Sequence, residues 1–94
     1  MTNMTATTAK YVRVLWELNA PVEDLENAAQ IYQESPELQR VLTDPSVYKE
    51  EKHAVVDRIF PEKKLQNFMK ILCDYSDVEY LEEIVEQYKM NISQ

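Results

Sequence analysis

The chain has no glycine in 94 residues. That one absence removes whole classes of fold. A P-loop or a G-x-G-x-x-G nucleotide turn needs glycine where the backbone must approach a phosphate. Two-residue hairpins lose their favoured turn residue. Nucleotide-binding α/β folds and β structure in general are therefore disfavoured. What remains is a chain of helices joined by short links. No strand alternation competes with the helical spacing of the apolar residues. The length fits one domain, residues 1–94, large enough to bury a modest core.

Proline and capping residues divide the chain. The first helix is expected from the threonines at Thr5 to Thr8 through Leu18, ended by Asn19-Ala20-Pro21. Pro21 opens the second, where a first-turn proline sacrifices no hydrogen bond, and Val22, Leu25, Ala29 and Tyr32 form its apolar stripe. Ser35-Pro36-Glu37 restarts the chain as cap, proline and acid, with Leu38, Val41 and Leu42 facing inward. Thr43-Asp44-Pro45-Ser46 breaks that helix. The fourth begins near Ser46 to Tyr48 and shows Val55, Val56, Ile59 and Phe60 to the interior. A fifth is expected from about Glu62 to Tyr75. Ser76-Asp77-Val78-Glu79 then reads as a capping box, with Tyr75 and Tyr80 as its staple. Behind it Val78, Leu81, Ile84, Val85 and Tyr88 make the sixth stripe, and the tail from Met90 is expected to fray. The expected fold class is all-α, a compact bundle of six short antiparallel helices.

Little in the sequence suggests chemistry. The net charge of −7 disfavours binding to nucleic acid or to an anionic membrane surface. No apolar run approaches the ~20 residues of a membrane span. The first nine residues lack the basic and apolar regions of a secretory leader, so a cytosolic setting is expected. The lone Cys73, in an apolar helical run, reads as a small buried hydrophobe. His53 is the only histidine, so two-histidine zinc spacing is impossible. Asp57 stands four residues on and is within reach of His53 on one helix face, but no nucleophile can be placed beside them. The adjacent acids Glu50-Glu51 and Glu82-Glu83 point apart on a helix. No enzyme activity, metal or cofactor is expected.

Two helices carry more apolar surface than a single buried stripe requires. In residues 9–18, Lys10, Arg13 and Glu17 share one stripe roughly 60° wide, and every other side chain is apolar. In the fifth helix the polar face of Gln66, Asn67, Lys70 and Asp74 is about 100° wide. Either these two helices are central and surrounded, or their outer halves form a groove for an amphipathic helix of another chain. Composition leaves both readings open.

Tyr11-Val12-Arg13-Val14-Leu15-Trp16-Glu17-Leu18 resembles the Tyr-Ala-x-Ala-Leu-Phe-x-Leu opening of the N-terminal domain of the F-type ATP synthase delta subunit family, which includes the oligomycin-sensitivity-conferring protein. Ser35-Pro36-Glu37-Leu38, Asp44-Pro45 and Lys49-Glu50-Glu51-Lys52 are similar to the family's next stretch. Leu65-Gln66-Asn67-Phe68-Met69-Lys70-Ile71-Leu72 resembles its fifth helix, and Leu81-Glu82-Glu83-Ile84-Val85 the start of its sixth. The likeness runs in order over about residues 8 to 90. Val12 and Val14 stand where the family has alanines, and Tyr75-Ser76-Asp77 where it often has Gly-Arg.

The resemblance implies a non-catalytic module of the peripheral stalk that binds the N-terminal helix of an alpha subunit between its first and fifth helices. The partner-binding residues it implies are Tyr11, Val14, Leu15, Leu18, Phe68, Ile71 and Leu72, with Leu25 on the second helix. It further implies a place in the cytoplasm, peripheral on the inner face of the cell membrane as part of a complex. Contact with the stalk's b subunit belongs to a C-terminal domain that these residues do not include. The rival expectation is a free-standing helical adaptor with a different helical partner.

Overall fold

The computed structural model describes residues 5–92. Six α-helices follow in order: α1 Ala6–Leu18, α2 Val22–Glu34, α3 Pro36–Thr43, α4 Lys49–Ile59, α5 Lys63–Asp74 and α6 Leu81–Ile92. A 3-10 turn over Val78–Tyr80 leads straight into α6. No strand occurs among the described residues. The chain is an all-α bundle, as its glycine-free, helix-periodic sequence requires. The reading of a leader falls partly, and the frayed tail partly, on residues outside this range; α6 itself continues past Met90 to Ile92.

The helix starts follow capping chemistry. The Thr5 hydroxyl accepts from the Thr8 amide at 3.1 Å, and the Ser35 hydroxyl from the Leu38 amide at 3.2 Å, with Pro36 in the first turn. Each satisfies one of the orphan amides of a helix N-terminus. The α2 and α4 starts have no side-chain cap, but Glu23 and Asp24, and Glu50 and Glu51, sit at the positive ends of their dipoles.

The capping box expected at Ser76 does not form. The backbone needs Ser76 for something else. It takes φ 58°, and its amide bonds the Cys73 carbonyl while that of Asp77 bonds the Leu72 carbonyl. This is the Schellman end of α5, with serine in the left-handed position usually held by glycine. A residue in that conformation cannot be the extended cap of the next helix. Tyr75 is 67% exposed and takes no part in a staple.

Leu15, Leu25, Val56, Met69, Leu72 and Ile84 have no exposed surface and mark the centre of the core. The α6 stripe of Val78, Leu81, Ile84, Val85 and Tyr88 is buried throughout. α6 packs most closely on α1 and then on α2, while α4 packs on α5. Two polar contacts tie α6 to α1 and to the link that follows it. The hydroxyl of Thr8, fully buried, donates to Glu83 at 2.7 Å, and the Tyr88 hydroxyl donates to the Ala20 carbonyl at 2.6 Å. The first bond joins the N-terminal turns of α1 and α6 and the second lies past the end of α1, so these two helices run in the same sense. Ile59, expected inside, lies at the last residue of α4 and is 42% exposed, while Phe60 beyond it is buried.

Candidate functional site

α1 and α5 run antiparallel along one side of the bundle. At one end the Lys10 ammonium lies 5.5 Å from the Tyr75 ring centre and 5.0 Å from that of Tyr11. In the middle, the Tyr11 and Phe68 rings meet edge to face, 5.9 Å between centres and 87° between planes. Such a pair contributes ~0.5–1.5 kcal/mol beyond its buried area. At the other end the Lys64 ammonium donates to the Leu18 carbonyl at 3.1 Å. Rings and lysine stems thus bridge the two helices, whose backbones are not among the closely packed pairs.

The floor of this seam is buried and hydrogen-bonded. The Tyr11 hydroxyl donates to Asp77 Oδ2 at 2.7 Å. Burial first, and then the carboxylate beside it, push the Tyr11 pKa above the ordinary tyrosine range. Tyr11, Leu15, Phe68 and Leu72 are each no more than 2% exposed, so they support the seam from beneath and show almost nothing to solvent. Leu25, on α2, is wholly in the common core. Among the eight partner-binding residues implied by the resemblance, only three offer surface. Val14 and Leu18 are half-buried on α1, and Ile71 is 38% exposed on α5.

Residues that the resemblance did not supply complete the strip's border. Lys64, Asn67 and Tyr75 fall in one helical row with Ile71 on the flank of α5 nearest α1. Lys10 and Lys64 put a positive charge at each end of an apolar strip, in a chain whose net charge is −7. The signal was present in the sequence as one helical row of polar and apolar residues, but nothing there showed which neighbour it faced.

Among the described residues, His53 and Asp57 are held in separate contacts and Cys73 is buried. His53 Nε2 lies 2.8 Å from Asp74 Oδ1, and Asp57 pairs with Lys70 at 2.8 Å, so the His53–Asp57 contact open to the sequence is replaced by two bridges between α4 and α5. Cys73 is buried, as read from its setting, and burial pushes its thiol up to about 11. A thiol so protonated is a weak nucleophile at neutral pH. Among the described residues no group of three or more His, Cys, Asp or Glu could hold a metal ion. No described helix is long and apolar enough to cross a membrane.

Comparison with known proteins agrees with this architecture. A family model described as ATP synthase delta (OSCP) subunit matches residues 10–94. Among curated relatives, the ATP synthase subunit delta of Trichodesmium erythraeum (strain IMS101) is 35% identical over 69 residues, 70% of this chain and 38% of the relative. The protein of the same name from Gloeothece citriformis (strain PCC 7424) is 32% identical over 69 residues, with the same coverage. The matched stretch therefore spans well under half the length of either relative. No solved structure matched the chain. The family match takes in all six helices, from the second turn of α1 onward, and the chain belongs to the ATP synthase delta (OSCP) subunit family.

Proposed function

We propose that this chain is a non-catalytic protein-binding module of the ATP synthase peripheral stalk, docking the N-terminal helix of an alpha subunit over the strip between α1 and α5. The observation that carries this reading is the row of Val14, Leu18 and Ile71, left partly open above a fully buried floor. A visiting amphipathic helix would lay apolar side chains at i, i+3, i+4 and i+7 along such a strip. Lys10 and Lys64 suit acids toward the two ends of that helix. Tyr11, Leu15, Phe68 and Leu72 act from below, holding the strip's shape, and Leu25 acts at one further remove through the core. In this role the module works peripherally at the inner face of the membrane, held there by its complex. Contact with the b subunit falls to the family's C-terminal domain.

Calorimetric titration with a synthetic alpha-subunit N-terminal peptide tests the proposal. Saturable binding is expected, weakened tenfold or more by Ile71→Asp. Heats that never saturate at millimolar peptide, or equal binding by the variant, contradict it.

A further inference from the structure

A 380 Å³ cavity opens between α2 and the link from α4 to α5. Its floor is apolar, made by Ala28 and Ile31 of α2 with Phe60 and Leu65. Around it stand three carboxylates, Asp24, Glu34 and Glu62, and no base lines it. None of the three forms an ion pair among the described residues; Glu34 accepts only from the neutral amide of Gln30, at 3.0 Å. A second recess of 230 Å³ shares Asp24, Glu62 and Leu65 and extends the trough toward Pro21. Lys63 and Lys64 edge that recess, and the Lys64 ammonium is engaged by the Leu18 carbonyl. From Asp24 to Glu34 the trough follows about 15 Å of helix, at ~1.5 Å per residue. That is close to three turns.

Three like charges around one apolar mouth repel one another and raise the local concentration of cations. An apolar side chain alone would leave that repulsion in place. A side chain flanked by bases would relieve it. We infer that the trough between α2 and the α4–α5 link is a second protein-docking site, taking an amphipathic helix of another chain that presents an aliphatic side chain between lysines or arginines. The site lies against α2 rather than α1, although Lys64 borders both it and the α1–α5 strip, and its charge preference is the opposite one.

The test uses the full chain labelled with nitrogen-15 and two synthetic amphipathic peptides, one of leucine and lysine, the other of leucine and glutamate. The lysine peptide should shift the amides of Asn27, Ile31, Glu34 and Leu65 saturably. Combined replacement Asp24→Asn, Glu34→Gln and Glu62→Gln should weaken that binding at least tenfold, and Ile31→Ala several-fold, with circular dichroism unchanged. Neutralising Glu17, Glu50 and Glu51 instead, which removes the same formal charge elsewhere, should alter it less than twofold. The inference is overturned if the glutamate peptide binds equally well, if both triple variants lose binding alike, or if the shifts fall on Val14 and Ile71. The last outcome would leave the α1–α5 strip as the molecule's one docking surface without touching the proposal made for it.

Discussion

Ser76 shows how a single residue can redirect a local signal. Asn19 and Ser76 are the two residues with positive φ among the described residues, at 54° and 58°, and each ends a helix by an equivalent pair of carbonyl bonds. Asparagine tolerates that conformation; serine enters it at a steric cost of roughly 1–2 kcal/mol. Ser76→Gly should therefore raise stability by about 1 kcal/mol, after allowing for the freer unfolded chain, as read from urea unfolding midpoints. No change, or a loss, would mean that Ser76 is not held left-handed in solution. Tyr11 supplies a second case. Its pKa is raised in the folded state by burial and by Asp77. Its contribution is therefore complete below the unfolded value near 10 and is lost as pH climbs above it. The shifts of Tyr88 and Tyr32 act in the same direction. Tyr11→Phe should cost about 1–2 kcal/mol at pH 8, by removing a hydrogen bond to a carboxylate. The same change should make the loss of stability between pH 9 and 11 shallower than in the parent chain.

At the scale of the element, the broad apolar faces of α1 and α5 have a mixed explanation. α1 sends Tyr11, Val12 and Leu15 into the core beside Thr8, and α5 sends Leu65, Phe68, Met69, Leu72 and Cys73. A buried arc of that width absorbs most of the surplus seen in the sequence. Val14, Leu18 and Ile71 are what is left over along the seam, with Trp16 on the opposite flank of α1. The helical period gives the angle of each residue on its own helix but not the direction of its neighbours. For that reason the helices and their breaks were readable, while the seam's floor could not be told from its rim. The same limit hid the pairing of His53 with Asp74, which depends on how α4 crosses α5. The distinction is testable. Ile71→Asp should keep the helical circular dichroism signal and most of the stability, since the residue is partly exposed already. Phe68→Asp should cost more than about 3 kcal/mol, because it buries a charge without a partner. Equal effects would show that the two positions do not differ in burial.

For the whole molecule, the family likeness and the fold support each other. The sequence motifs run in order through helices that appear where they are expected, and the family match spans the bundle. What the sequence could not show is how little of the implied interface is open. Five of its eight residues are core, and the strip that remains is narrow and ends in lysines. Trp16, half-exposed, lies about 160° around α1 from Leu18, at ~100° per residue, so its fluorescence would report on the opposite flank. Amide shifts are the better reporter. In a titration of the labelled chain with an alpha-subunit N-terminal peptide, the largest saturable shifts should fall on Val14, Leu18, Asn67 and Ile71, with smaller ones on the buried residues beneath. Shifts confined to α2, α3 or α4, or none at millimolar peptide, would contradict docking between α1 and α5.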